Sequence, residues 1–409
     1  MTKYIKCGGG GLPPQVITDM NAVLNKKFST STTYPSSEWA DMIEEMTALP
    51  EESASGSIAH FEDGADTVPL DTGLFYFNPV QASGTPTPSS PIPITGHTGL
   101  NITRAGKNLF DKTNFNSIDG YFVSPNFVIT SNASHKIVYI PCNPNTTYTA
   151  SRTRTSGNER LAIGYTNELP AVGVTVSGNS RAADAGTVGD LMSVSTTTGA
   201  NAKYIVVWAW WSSSDEQTAK DELQIEQSAT ATAYEAYVGT TYPISWTSHG
   251  TIYGGYYDSK TGELWKTQER MVLNGSENWG AYSNRSGFYL NITDMATSTA
   301  YDGYCDKLKV SASWMEQLGI RFGQANSYIY VLQITNNISD VTDVPSWKSY
   351  LEDNNITIVY PLTTPVLVGI IDPTKITTYE GVNNIWNDGG GVSDVGYRAD
   401  IDLYVAEHS

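Results

Sequence analysis

From Ile58 onward the chain alternates apolar and polar residues in short runs, broken by clusters of Gly, Pro, Asn, Asp and Ser. Between residues 107 and 240 the runs 127–130, 136–140, 147–152, 161–165, 172–176, 191–195, 204–211 and 223–226 each predict a short strand. No long helical period interrupts them, which fits a two-sheet sandwich of jelly-roll type. A second β region follows from Tyr242. Residues 254–266 predict a hairpin turning at 259–262, with Gly262 taking positive φ. One helix is expected after Asp343: Pro345 suits its first turn, Val344, Trp347 and Leu351 share one face, and Asn354 stops it. Strands at 357–360 and 366–371, a Gly-rich turn at 389–391 and an alternating strand at 395–405 complete the pattern.

Residues 1–55 read differently. Pro13 and Pro14 can open a helix carrying Val16, Met20, Val23 and Leu24. A clearer helix starts at the N-cap Ser36, with Trp39, Met42, Ile43 and Met46 at i, i+3, i+4 and i+7, and Pro50 ends it. Two short amphipathic helices cannot bury a core of their own, so their apolar stripe is expected to pack on another copy, the next domain or a docking partner. Residues 81–93 hold Pro86, Pro88, Pro91 and Pro93, which cannot donate to a ladder and predict an extended strap.

The expected fold is therefore mainly β: a short helical N-terminal anchor followed by two β-sandwich, jelly-roll-like domains. The expected division is 1–55 for attachment or oligomerisation, 56–106 for an extended β and Pro-rich strap, 107–240 for the first sandwich and 241–409 for the second β-sandwich region with its C-terminal hairpin.

Composition narrows the function. Acidic residues number 42 against 24 basic, a net charge of −18, which argues against nucleic acid and against docking on an anionic membrane. No apolar run is long enough to span a bilayer, and the first residues carry no apolar segment of secretory type. Cys7, Cys142 and Cys305 are odd in number and form no CxxC pair, so neither a disulfide framework nor a zinc site is expected. The histidines are scattered, with no HExxH, no GxSxG elbow and no phosphate-cradling loop. No catalytic residues and no metal ligands are assigned. No cofactor is expected, beyond a structural Ca²⁺ that the turn acids Asp388, Asp394, Asp400 and Asp402 could hold outside any EF-hand loop.

The aromatic residues are mostly of the amphipathic kind, with 10 Trp and 25 Tyr against 10 Phe. Rings with a polar handle suit faces that are dry on one side and wet on the other. In the strand 204–211, alternation puts Tyr204, Val206, Trp208 and Trp210 on one face and Ile205, Val207, Ala209 and Trp211 on the other. Two readings stay open. Either Trp208 and Trp210 line a concave sugar-binding face with Arg160 and Tyr165, or they are core and only Trp211 meets solvent. A second candidate cluster, Trp279, Tyr282, Asn284, Arg285 and Tyr289, lies in a loop-rich segment.

Several blocks resemble structural proteins of tailed bacteriophages infecting Gram-positive, particularly gut, bacteria. They are Gly56-Ser-Ile-Ala-His-Phe-Glu-Asp-Gly-Ala-Asp66 with the Pro-rich strap, and Gly99-Leu-Asn-Ile-Thr-Arg-Ala-Gly-Lys-Asn-Leu-Phe-Asp111. Tyr253-Gly-Gly-Tyr-Tyr-Asp258, Trp347-Lys-Ser-Tyr-Leu351 followed by Ile358-Val-Tyr-Pro-Leu-Thr-Thr-Pro365, and Gly381-Val-Asn-Asn-Ile-Trp-Asn-Asp388 complete the set. Leu223-Gln-Ile-Glu-Gln, running on to Tyr234-Glu-Ala-Tyr237, is similar to the closing strand of carbohydrate-binding-module jelly rolls. The resemblance implies a tail, baseplate or fibre component of the virion, made in the host cytoplasm. It further implies a homotrimer, joined to other virion proteins through residues 1–55, that meets a host-surface polysaccharide. A purely architectural head fibre, collar or baseplate part and a glycan depolymerase are the alternatives.

Overall fold

The computed structural model describes residues 52–63, 69–122, 127–155, 159–182, 186–210, 216–282, 286–296, 303–311, 318–323, 327–379 and 381–397. The helices expected before residue 52 and the end of the strand expected at 395–405 lie outside them. The molecule is mainly β, built as antiparallel sheets stacked around separate cores, with few helices.

The largest sheet orders seven strands as Glu52–Gly56, Gly390–Tyr397, Thr72–Phe77, Gly255–Asp258, Glu263–Leu273, Ile356–Ile370 and Tyr304–Cys305. A four-stranded sheet orders Gly239–Ser245, Gly99–Ala105, Gly381–Asn387 and Ala59–Asp63. Alternation explains their packing. Phe75 and Phe77 point inward from one sheet, Leu100 and Ile102 from the other, and all four join Trp246, Tyr257, Leu264, Ile385 and Val395 in one core. At the hairpin turn Gly262 takes φ +75°, and a Cβ there would fall 1.9 Å from the Ile371 carbonyl oxygen.

Residues 56–106, expected to be extended β with a Pro-rich strap, supply strands to both sheets. Leu100 and Ile102 bury one face of their strand, and their register partners, Ile244 and Tyr242, come from beyond the first sandwich. The Pro-rich stretch stays outside the sheet ladders. It loops out between Val80–Gln81 and Ile94–Thr95, which pair with each other, and the Gln81 amide ties it down by donating to the carbonyls of Ile92 and Cys305, each at 2.9 Å.

The first sandwich is inserted into this framework. Its five-stranded sheet orders Ser177–Arg181, Ala162–Thr166, Tyr204–Trp210, Thr130–Pro141 and Asn116–Tyr121. The facing sheet orders Leu191–Thr197, Thr147–Thr153 and Gln224–Glu226. Ile205, Val207 and Ala209, the expected inward set, share the enclosed core with Leu161, Ile163, Tyr148 and Ile225. The run 172–176 does not join a ladder as a strand. Val174 and Val176 instead cover the outer face of the larger sheet with Phe122 and Ile129, forming a second apolar layer.

A third core lies under the four-stranded sheet Gly280–Tyr282, Gly287–Asn291, Tyr328–Leu332 and Gly319–Phe322. Helix Val344–Asp353 closes it as expected. Asp343 accepts from the Ser346 amide at 2.9 Å, the Ser346 hydroxyl accepts from the Asp343 amide at 3.0 Å, and Trp347 and Leu351 are buried. This capping box satisfies amide groups that the first helical turn leaves open.

Candidate functional site

Trp208 and Trp210 do not line a sugar-binding face. Trp208 stands opposite Ile137 and Trp210 opposite Lys136, so Ala209 is an extra residue on its strand. Such a bulge breaks the two-residue period. Trp208 therefore stays on the outer face beneath Phe122, Val174 and Val176, whereas Trp210 turns into the enclosed core beside Ala209. Their exposures are 0% and 1%. The added apolar layer covers the face that alternation alone would leave open.

The remaining members of that candidate set are likewise not gathered into one groove. The Arg160 guanidinium lies over the Trp208 ring, 5.4 Å from its centroid. Tyr165 is half-buried and packs on the enclosed core, on the opposite side of the sheet. His135 touches the edge of Trp208 at 5.2 Å; burial, and then the Arg160 charge, hold its imidazole below the ordinary histidine range. Trp211 lies outside the described residues.

The second candidate cluster divides. Trp279 is buried, its indole N–H donating to Glu277 at 3.0 Å and its ring meeting Trp347 edge-on. It belongs to the core. Asn284 and Arg285 lie outside the described residues. Tyr282 and Tyr289 are half-buried on the outward face of the four-stranded sheet.

Two tyrosines that the sequence reading missed join them there. Phe288, Leu290, Ile329 and Val331 point into the third core, which turns Tyr289, Tyr328 and Tyr330 outward. Tyr289 pairs directly with Tyr330, which in turn pairs with Arg321 on the next strand. Ring centroids are 5.2 Å apart for Tyr282 and Tyr330, 5.4 Å for Tyr289 and Tyr328, and 6.2 Å for Tyr328 and Tyr330. Gly280 makes room for this cluster, since a Cβ there would lie 2.3 Å from the Tyr289 ring. The result is a contiguous four-ring surface edged with phenol hydroxyls. Such a surface can stack on the C–H face of a sugar while hydrogen bonding to its hydroxyls. The available signal was the alternation Tyr328-Ile-Tyr-Val-Leu332, whose partner strand is distant in sequence.

Of the turn acids, Asp388 accepts from the Asn101 amide at 2.9 Å and from its side chain at 2.8 Å. Asp394 is exposed, and Asp400 and Asp402 lie outside the described residues. Among the described residues no three His, Cys, Asp or Glu side chains gather in a metal-holding group, and no helix is long and apolar enough to cross a membrane.

No protein-family model and no curated protein matches the sequence. Among solved structures, the T=1 particles derived from infectious bursal virus align at 8% identity over 87% of this chain and 79% of that chain, with a TM-score of 0.14. The VP2 subviral particle of infectious bursal disease virus aligns at 7% identity over 87% and 82%, TM-score 0.14. The T13 particle of that virus aligns at 7% identity over 96% and 87%, TM-score 0.13. Scores of this size mark no shared fold.

Proposed function

We propose that the chain is a structural protein of a tailed-phage virion, a trimeric fibre or tail component that attaches to host-surface glycans. The observation that carries the attachment role is the outward four-tyrosine face. Amphipathic rings gathered on a rigid sheet can stack on the apolar face of a sugar and hydrogen bond to its hydroxyls. The phage-like sequence blocks supply the virion context, and three linked copies would turn weak single-site binding into useful avidity. Residues 1–55 are assigned to contacts with other virion proteins. No enzymatic role is assigned.

The architectural alternative draws on a different observation. Leu367 and Ile370 are 43% and 66% exposed on one face of the strand Ile356–Ile370, opposite Trp265 and Glu263, apolar surface that an assembly contact would cover.

A glycan array and a host-cell pull-down with the full chain decide between these readings. Attachment predicts binding to at least one surface glycan, weakened about tenfold or more by the double substitution Tyr289→Ala, Tyr330→Ala, the scale expected for two lost ring contacts. Absence of binding to every glycan and to host cells would remove the receptor role and leave the architectural one. Release of reducing sugar by the purified protein would instead establish a depolymerase.

A further inference from the structure

Residues 227–238 have no regular secondary structure, yet buried polar side chains hold them firmly. Gln224 and Glu226 are each 1% exposed and Asn108 is 2% exposed. Glu226 accepts from the Thr232 amide at 2.9 Å and its hydroxyl at 2.8 Å. Gln224 accepts from the Glu235 amide at 2.8 Å and donates to Glu226 at 2.8 Å. Asn108 donates to the Glu235 carbonyl at 3.1 Å, and Lys107 donates to the Ala233 carbonyl at 2.9 Å. Taking a carboxylate and two amides out of water is unfavourable unless each is satisfied. Closing a sandwich calls for apolar side chains, whereas this network fixes an irregular loop in a single conformation.

That loop presents Tyr234. The side chain is 50% exposed, yet its hydroxyl donates to the Asp221 carbonyl at 2.7 Å, so an open ring is held in one orientation. It borders a solvent-open groove of about 280 Å³ lined also by Asp111, Lys112, Lys220 and Tyr237. Asp111 is anchored by the Thr113 amide at 2.8 Å and hydroxyl at 2.7 Å. Lys112 pairs with Asp221 at 2.7 Å, with both side chains about half exposed. The two ammonium groups are balanced by Asp111 and Asp221, which disfavours an anion. A fixed ring beside hydrogen-bonding groups of both kinds suits a neutral, hydroxyl-rich ligand with one apolar face.

We infer that this groove is a second saccharide site, taking one neutral sugar ring stacked on Tyr234, with hydroxyls bonded by Asp111 and Lys112. It extends the glycan-binding reading to the first sandwich, at a place separate from the four-tyrosine face. The test is saturation-transfer NMR on the full chain with millimolar glucose, galactose, rhamnose and N-acetylglucosamine. At least one sugar should receive saturation. Tyr234→Ala should weaken its binding about fivefold or more, the scale of one lost ring contact. Tyr234→Phe, which keeps the ring but loses its bond to the Asp221 carbonyl, should retain more binding than Tyr234→Ala. Should Tyr234→Ala unfold the loop, Lys112→Gln replaces it, with weakened binding and an unchanged melting temperature expected. No transfer from the parent protein to any of the four sugars overturns the inference. So does transfer that survives Tyr234→Ala and vanishes in Tyr330→Ala, a result that would leave the tyrosine face standing.

Discussion

Arg152 donates to Glu159 across 2.9 Å, and the two side chains are 1% and 0% exposed. Glu159 also accepts from the Thr155 amide and hydroxyl, so the carboxylate is bonded from two sides. Removing one partner of such a pair leaves a buried charge uncompensated, at a cost of about 3–5 kcal/mol. Glu159→Gln is therefore expected to lower the unfolding free energy read from urea titration by that much. The double variant Glu159→Leu, Arg152→Met should lose less than the single one, because neither charge remains. A single variant costing under about 1 kcal/mol would mean that the pair is better solvated than its burial implies.

His135 gives the fold a pH dependence. It lies 5.2 Å from the rings of both Tyr121 and Trp208, and burial with the nearby Arg160 charge lowers its pKa from the ordinary 6.5. The unfolded chain then takes up this proton before the folded one does. Its contribution to stability is fully present above about pH 6.5 and is lost as pH falls toward the folded value. Urea midpoints between pH 7.5 and 5 should fall more for the parent than for His135→Gln. Equal slopes would refute the assignment.

The thiols should be inert until the protein opens. Cys142 and Cys305 are free and buried, and burial pushes each thiol up to about 12. Near pH 8 this leaves roughly a thousandfold less thiolate than an open cysteine has, and thiolate is the reacting form. In a Cys7→Ser background, a thiol reagent such as Ellman's should find no reactive group in the folded protein and two after denaturation. Fast labelling of either residue without unfolding would contradict the packing.

Local signals were legible and long-range pairing was not. Asp343, Pro345, the Trp347–Leu351 stripe and Asn354 each act within a few residues, so helix Val344–Asp353 could be read directly. The bulge that separates Trp208 from Trp210 depends on the register with Thr130–Pro141, which no alternation within one strand reveals. Alternation also tells which side chains share a face without telling whether another layer covers it. Trp208 is sealed by Val174 and Val176 for that reason. The four tyrosines come from three strands, one of them distant in sequence from the other two, and assemble only through sheet pairing. The strand Asn116–Tyr121 was missed because Asn, Ser, Asp and Gly are weak strand formers.

Trp347 separates packing from hydrogen bonding. It stacks on Phe288 at 5.5 Å and Tyr350 at 5.6 Å, and its buried indole N–H has no hydrogen-bond partner among the described residues. Trp347→Ala removes the whole ring and should cost about 3–5 kcal/mol. Trp347→Phe keeps most of the stacking and also removes the orphan donor, whose burial costs about 1–3 kcal/mol. That variant should therefore lie within about 1.5 kcal/mol of the parent. Calorimetry on both variants checks the ordering, and a large loss in Trp347→Phe would point to a bonded indole.

Trp208 and Tyr330 should respond in opposite ways. Both were placed by alternating strands, but Trp208 is enclosed by two layers whereas Tyr330 is half-buried on an outward face. Trp208→Ala leaves a large cavity and should cost about 3–5 kcal/mol, with any glycan binding by the tyrosine face intact in the protein that remains folded. Tyr330→Ala opens no enclosed cavity. Its stability loss should stay under about 1.5 kcal/mol, while binding to host-surface glycan drops because Tyr282, Tyr289 and Tyr328 lose their shared neighbour. Thermal melts and glycan binding measured on the same preparations separate the two effects. If Trp208→Ala abolished binding at unchanged stability, the four-tyrosine face would not be the glycan site.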